Sequence, residues 1–156
     1  MELENILDGI YGVGELSKSI LDRISTFGEL LSSYIFYEFS KFKKLNSDYI
    51  DSRNIIYTKK SKGYSIIIDF ERTKKNLVNS LNKKEFEFHV MPGFIASSHD
   101  NKTITLGRGG SDFTASIIAN ILDANKLDIW TDVSGMFTAN PKIVKQAIPI
   151  SELSYE

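Results

Sequence analysis

The stretch Thr105-Leu106-Gly107-Arg108-Gly109-Gly110-Ser111-Asp112 contains three glycines, which separate extended chain from an apolar segment. The apolar residues that follow, 113–124, are rich in Ala and Ile and predict a helix. Ser111 or Asp112 is a natural N-cap for that helix. A glycine-rich loop that leads into a helix N-terminus offers free backbone N–H groups and the positive end of the helix dipole. Such a loop is a candidate anion site.

Arg108 adds a planar, permanently charged donor to this loop, and such a donor suits a carboxylate or a phosphate. The alternative interpretation is a tight strand-to-helix turn with an exposed arginine. The loop is not a Walker A sequence, since no Gly-Lys-Ser/Thr follows, and it lacks the glycine spacing of a dinucleotide-binding fold. Spacing alone leaves both interpretations open.

The segment 127–131 is predicted to be a buried strand, so that the loop and its helix lie within a strand–helix–strand unit. Units of this kind build parallel sheets, which bind ligands at the carboxyl ends of their strands. Thr131 and Asp132 would lie at such an end.

Upstream of the loop, a long helix is predicted from about Glu15 to Lys44, because apolar residues recur at steps of three and four. Polar residues form the opposite stripe, and Glu29, which belongs to it, would by itself be a surface glutamate. Gly28 interrupts the helix at a cost of about 1 kcal/mol relative to Ala, which indicates close approach by another group. The apolar residues are Leu16, Ile20, Ile24, Phe27, Leu31, Ile35 and Phe39.

A second helix and several short strands are predicted between these regions. The helix runs from Asp69, a possible N-cap, to Leu81, with Phe70, Leu77 and Leu81 directed inward. Alternating apolar residues predict extended segments within 48–56, 85–91, 94–96 and 103–106.

Composition limits the chemistry that the chain can perform. Its 156 residues fit one domain, and the formal net charge of −1 gives no global field for nucleic acid or membrane. The absence of cysteine excludes disulfides, cysteine-ligated metals and thiol catalysis. The two histidines, His89 and His99, match no zinc motif, and both are expected to be unremarkable strand or turn residues.

Localisation and partners follow from the same composition. The apolar runs are too short to span a bilayer and the first residues are acidic, so a cytoplasmic, soluble domain is expected. Residues 41–84 hold twelve basic and four acidic residues, a difference of +8, which raises the possibility of RNA contact. These lysines share no face, so a solvated surface is preferred and no nucleic acid partner is expected.

Several motifs together resemble the aspartokinase branch of the amino acid kinase superfamily, from about residue 15 to the end of the chain. The resemblance implies an α/β fold, a three-layer α/β/α sandwich with a mainly parallel sheet, incomplete at both ends. Residues 1–156 would then form a partial catalytic domain, without regulatory ACT domains. The motifs are Gly28-Glu29, Gly93-Phe94-Ile95, the loop 105–112, Ile129-Trp130-Thr131-Asp132-Val133-Ser134-Gly135, Thr138-Ala139-Asn140-Pro141-Lys142 and Leu153-Ser154-Tyr155-Glu156.

The resemblance also implies a reaction, in which ATP with Mg²⁺ phosphorylates the side-chain carboxylate of L-aspartate in lysine, threonine and methionine synthesis. Glu29 would hold the substrate ammonium group and Arg108 its α-carboxylate. Asp112 would organise the lysines that neutralise the transferring phosphoryl group. Further implied contacts are Phe94, Gly109, Gly110 and Ser111 for the substrate, and Thr131, Asp132, Phe137 and Lys142 for ATP, with no protein-held metal.

This chain departs from the family pattern in two ways. Phe137, Lys142 and Asn140 stand where tyrosine, arginine and aspartate are usual. Nothing here matches the family's Lys-Phe-Gly-Gly-Thr-Ser segment or its later lysine segment, so we expect an internal piece of a homo-oligomeric enzyme that is inactive alone. The alternatives are a non-catalytic binding or folding fragment, and a related kinase acting on another carboxylate such as glutamate.

Overall fold

The chain contains four α-helices and four short strands within the residues that the computed structural model describes, which are 2–61, 66–81, 85–132 and 135–154. The α/β class expected from the sequence is confirmed. A short 3₁₀ helix, Ser52–Asn54, follows the first strand. The helices and strands are α1 (Glu2–Val13), α2 (Lys18–Phe42), β1 (Ser47–Tyr49), α3 (Phe70–Leu81), β2 (Phe88–Val90), β3 (Ile95–Ser97), β4 (Thr103–Thr105) and α4 (Gly110–Ile121).

Helix α2 confirms the long helix predicted from the apolar period, but its most buried face is not the apolar stripe. Thr26 and Ser40 are its buried residues, whereas Leu31, Ile35 and Phe39 are exposed. The Thr26 hydroxyl donates to the carbonyl of Arg23 at 2.7 Å. Small side chains whose hydroxyl groups are satisfied within the helix allow its backbone to lie close to the strands.

Two short ladders and three isolated bridges make up the described β-structure, and one of the bridges joins Phe137 to Pro149 in antiparallel orientation. Strands β1 and β2 pair in parallel, and β3 and β4 form an antiparallel hairpin. Tyr57 bridges to Ser97 in parallel, and Thr58 bridges to Ile68 in antiparallel orientation. The extended segments predicted within 85–91, 94–96 and 103–106 are therefore confirmed, whereas 48–56 is a strand only at its start.

The core lies between these strands and helices α3 and α4. Helix α3 confirms the predicted second helix, and the Asp69 carboxylate accepts from the Arg72 N–H at 3.2 Å, as a cap does. Leu77 is buried as predicted and Leu81 packs against the core, but the prediction that Phe70 points inward is wrong, since Phe70 is 47% exposed. The core residues are Ile50, Ile55, Ile56, Ile68, Leu77, Ala96, Leu106 and Ile117.

The buried strand predicted for 127–131 is wrong for the structure as described. No strand among the described residues includes this segment, and Ile129 is 48% and Trp130 94% exposed. An apolar run becomes a buried strand only when a neighbouring strand accepts its backbone hydrogen bonds, and none of the described strands does so here. The motif residues Val133, Ser134, Tyr155 and Glu156 lie outside the described residues.

None of the helices in the described ranges is both long enough and apolar enough to cross a bilayer.

Candidate active site

Gly109 is the N-cap of helix α4, in place of the predicted side-chain cap. Its φ of +71° lies in the left-handed region, and no side chain in the described part of the protein caps the helix through a hydrogen bond. The expectation that Ser111 or Asp112 is the N-cap is therefore wrong, because glycine adopts this backbone conformation without a Cβ penalty. Asp112 instead lies in the first turn, where the helix dipole favours a carboxylate.

Two left-handed glycines hold Arg108 out from the surface. Gly107 has a φ of +79°, and the N–H of Gly110 donates to the carbonyl of Gly107 at 3.0 Å, closing a tight turn. Arg108 lies between the two glycines and is exposed. This turn confirms the predicted loop and leaves the guanidinium group accessible to a ligand.

A second tight turn, Gly93-Phe94, packs directly against the start of α4. A Cβ placed on Gly110 would lie 2.8 Å from Cδ2 of Phe94, and a Cβ on Gly93 would lie 2.9 Å from Cα of Ser111. Both distances are shorter than a real Cβ tolerates, so glycine at these two positions lets the turns touch. The sequence motifs around Phe94 and Ser111 are thus neighbours in space.

Helix α2 brings Glu29 to the same place. The Thr105 hydroxyl of β4 donates to the Asp22 carboxylate at 2.9 Å, which fixes α2 against the hairpin. Glu29 lies two helical turns beyond Asp22 on the same face. The glutamate is half-buried, whereas the helical pattern alone would leave it on the surface.

These elements enclose a pocket of about 420 Å³. The pocket collects every residue that the sequence assigned to the substrate, together with Asp112 and one residue not assigned, Gly107. The glycine was missed only because the motif was assigned from Arg108 onward. The lining residues are Glu29, Phe94, Gly107, Arg108, Gly109, Gly110, Ser111 and Asp112.

Side chains of opposite charge line this pocket, and none of the described residues pairs with them. Within the described part of the chain, the side chains of Glu29, Arg108 and Asp112 form no hydrogen bond or ion pair. One accessible cation and two carboxylates therefore face a common space. That combination suits a small ligand that itself carries both signs of charge.

The residues predicted to bind the nucleotide are only partly brought together. Phe137 and Lys142 line a second pocket of about 420 Å³, whose lining residues are Gly135, Phe137, Ala139, Asn140, Pro141 and Lys142. The Asn140 side-chain oxygen accepts from the Lys142 N–H at 2.9 Å, so asparagine orders this turn as an aspartate would. Thr131 and Asp132 do not line this pocket and are exposed, because segment 127–131 pairs with no described strand.

A further cavity of about 470 Å³ adjoins the first and shares Glu29 and Ser111 with it. His89 lines this cavity, and its Nδ1 is buried with no hydrogen-bond partner among the described residues. The nearest carboxylate oxygen, Oδ2 of Asp48, is 3.6 Å away. The alternating pattern of residues 85–91 gave no indication that His89 would line a cavity. Among the described residues, no group of three or more His, Asp or Glu side chains has a metal-binding arrangement.

Comparison with known proteins relates this arrangement to one family. The family model described as "Amino acid kinase family" matches residues 5–156. The bifunctional aspartokinase/homoserine dehydrogenase of Buchnera aphidicola is 35% identical over 99% of this chain, and lysine-sensitive aspartokinase 3 of Escherichia coli is 33% identical over 99%. Among solved structures, E. coli aspartokinase III in complex with aspartate and ADP (R-state) superimposes on 96% of the chain, with a TM-score of 0.80 and 31% identity.

The chain is much shorter than these relatives. It spans 19% of the Buchnera protein and 35% of E. coli aspartokinase 3, and it covers 34% of the solved aspartokinase III chain.

Proposed function

The chain belongs to the amino acid kinase family, and from that premise we propose that the full-length protein is an aspartate kinase. It transfers the γ-phosphoryl group of ATP to the side-chain carboxylate of L-aspartate and produces 4-phospho-L-aspartate for lysine, threonine and methionine synthesis. This chain supplies much of the aspartate site and part of the ATP site. The observation that carries the proposal is the pocket in which Glu29 and Arg108 both lack charged partners among the described residues.

Aspartate is a zwitterion with a second carboxylate, and the pocket offers a complementary partner for each end of its backbone. Arg108 binds the α-carboxylate, where a planar guanidinium group can donate two parallel hydrogen bonds. Glu29 binds the ammonium group. Phe94, Gly109, Gly110 and Ser111 complete the pocket and leave the side-chain carboxylate directed toward ATP. The complex of E. coli aspartokinase III with aspartate and ADP supports this assignment by similarity.

Phosphoryl transfer to a carboxylate requires little side-chain chemistry. A carboxylate oxygen of aspartate attacks the γ-phosphorus, the bond to the β,γ-bridging oxygen breaks, and the electron pair of that bond leaves with ADP. No proton has to be removed from the attacking oxygen, so neither histidine nor cysteine is required. Catalysis then depends on positioning and on cationic stabilisation of the transferring group.

Asp112 is proposed to organise the lysines that provide this cationic stabilisation. Its carboxylate lies in the first turn of α4 and lines the pocket, with no partner among the described residues. An unpaired carboxylate at this position can hold an ammonium group close to the reacting phosphate.

The nucleotide is proposed to bind through Thr131, Asp132, Phe137 and Lys142. The pocket around Phe137 and Lys142 supports this assignment for two of the four residues. Mg²⁺ enters with ATP as part of the substrate, since it is commonly held by phosphate oxygens and water. The proposed setting is a cytoplasmic homo-oligomer without nucleic acid or membrane partners, in keeping with the balanced net charge of −1.

Coupled measurement of ADP release by the full-length protein tests the proposal. With ATP and Mg²⁺ present, L-aspartate should support turnover and L-glutamate should not, because one more methylene would displace the reacting carboxylate from the phosphate. Turnover with glutamate in place of aspartate would favour a related amino acid kinase. No turnover with either amino acid would favour a non-catalytic binding protein.

A further inference from the structure

We infer that Thr114 is a positioning residue for the substrate pocket, a role that rests on the proposed function of that pocket. Thr114 lies one turn into α4 and is 5% exposed. It does not line the pocket around Arg108, but it lines the adjoining cavity that shares Glu29 and Ser111 with that pocket. Its hydroxyl nevertheless joins the two turns that form the pocket.

The Thr114 hydroxyl makes one hydrogen bond in each direction. It accepts from the N–H of Phe94 at 3.1 Å and donates to the carbonyl of Gly110 at 2.8 Å. One bond fixes the Phe94 turn, and the other fixes the start of α4. The hydroxyl therefore sets the separation between two segments that both line the pocket.

The Phe94 turn needs such support because its backbone is strained. Phe94 has a φ of +68°, a region that L residues other than glycine seldom occupy. The N–H of Ile95 donates to the carbonyl of Gly93 at 2.8 Å, which closes a three-residue turn around Phe94. The γ-turn with a positive central φ is rare and strained, and persists only where its surroundings hold it.

Two contacts besides Thr114 hold this turn. The N–H of Leu106 donates to the carbonyl of Phe94 at 2.7 Å, and the Phe94 ring and backbone pack on Gly110. The bond from Leu106 fixes the turn to the end of the β-hairpin. Among the described residues, only the Thr114 hydroxyl satisfies the N–H of Phe94 and links it to the helix that carries Ser111 and Asp112.

The test compares Thr114→Val with Thr114→Ser in the full-length protein. Valine keeps the shape of threonine but leaves the Phe94 N–H without its acceptor, whereas serine keeps the hydroxyl. We expect Thr114→Val to raise the KM for aspartate roughly tenfold or more, with the KM for ATP nearly unchanged. Thr114→Ser should stay within about threefold of wild type.

Thr73→Val provides the matched control. Thr73 is also a fully buried helical threonine whose hydroxyl accepts a backbone N–H, from Tyr57 at 3.2 Å, but it does not line the pocket. Loss of the Thr73 hydroxyl in Thr73→Val should lower the melting temperature and leave the KM for aspartate unchanged. An equal rise in this KM for Thr73→Val and Thr114→Val would reduce Thr114 to a stability residue and overturn the inference.

Amide hydrogen exchange at Phe94 separates this inference from the proposed function. Thr114→Val should speed exchange of the Phe94 amide about tenfold or more, while Thr114→Ser retains protection, whatever ligand the pocket binds. Unchanged exchange in Thr114→Val overturns the positioning role. The wild-type protein could also prove unable to phosphorylate aspartate, which would contradict the proposed function. Faster exchange of the Phe94 amide in Thr114→Val would still support the role of Thr114 in shaping the pocket.

Discussion

Arg108 and Glu29 come from distant parts of the sequence, yet they line one pocket. Small residues position both side chains. Arg108 lies between two left-handed glycines, and Glu29 lies on the face of α2 that contains the buried Thr26. Sequence motifs identified both residues. Their proximity, and the lack of competing partners among the described residues, required the structure.

Asp112→Asn separates a structural role for the carboxylate from a catalytic one. Asparagine keeps the shape of the side chain, so loss of the charge near the helix dipole should cost only about 0.3–1 kcal/mol of stability. If Asp112 organises catalytic lysines, kcat of the full-length protein should fall at least about 100-fold, or about 2.7 kcal/mol. Steady-state kinetics beside a thermal melt provides the measurement. A kcat within a few-fold of wild type would leave Asp112 a helix-terminus residue only.

Gly110→Ala and Gly28→Ala should change stability in opposite directions. A Cβ at Gly110 would lie 3.1 Å from Cα of Phe94, so the strained turn must shift, at a cost of about 1–3 kcal/mol. A Cβ at Gly28 meets no described atom within 4 Å, so alanine should stabilise α2 by about 1 kcal/mol.

Denaturant unfolding of the two glycine variants measures both effects. Gly110→Ala should also raise the KM for aspartate, because Phe94 lines the pocket. Destabilisation by Gly28→Ala would instead support the close approach that the sequence predicted at this position.

Among the elements, those stabilised by local signals were predictable from sequence. Helix α3 begins after the capping residue Asp69, and the glycines of the loop before α4 indicate a tight turn from sequence alone. Helix α1 was missed because Gly9 and Gly12 weaken its propensity over only 12 residues. Segment 127–131 was misassigned because its apolar residues give no information about whether a partner strand is present.

The β3–β4 turn gives the hairpin a pH-dependent element. The Ser98 hydroxyl donates to the Asp100 carboxylate at 2.6 Å, and the Lys102 ammonium lies 2.9 Å from it. These contacts lower the pKa of Asp100 from its ordinary value of 3.8 to about 2. A depressed carboxylate pKa means that the contact stabilises the fold above pH 3.8 and that this contribution is lost as pH falls through about 2.

Titration of the Asp100 carboxyl by NMR checks this prediction. The midpoint should lie near pH 2 in the wild-type chain and should move upward in Ser98→Ala, which removes the first of the two donors. A midpoint at the ordinary value of 3.8 in the wild type would show that the turn does not hold the carboxylate in solution.

At the scale of the whole molecule, the chain superimposes on an aspartokinase with a TM-score of 0.80 but covers only 34% of it. The fold similarity extends well beyond the pocket around Arg108. Of the four residues proposed for the nucleotide, however, only Phe137 and Lys142 line a common pocket. Sequence motifs therefore predicted the family and the grouping of residues around Arg108 better than they predicted the grouping of the residues proposed for ATP. The reason is that Thr131 and Asp132 depend on strand pairing that the described residues do not supply.

The 156-residue chain expressed alone should show no aspartate kinase activity above background. The family's phosphate-binding lysine segments have no match in this sequence, and cationic stabilisation of the transferring group contributes several kcal/mol. An ADP-release assay at saturating aspartate, ATP and Mg²⁺ measures the activity of the chain against the background without aspartate. Clear aspartate-dependent turnover by the chain alone would disprove this expectation.

The proposed binding of the aspartate α-carboxylate by Arg108 is tested by kinetic comparison of Arg108→Ala with Arg108→Lys in the full-length protein. We predict that Arg108→Ala lowers kcat/KM for aspartate, which corresponds to a rise of roughly 2–4 kcal/mol in the activation free energy. The KM for ATP should stay nearly unchanged. Arg108→Lys, which keeps the charge without the planar fork, should fall between wild type and alanine. Unchanged kcat/KM for aspartate with a raised KM for ATP would contradict the claim and assign the glycine loop to the nucleotide.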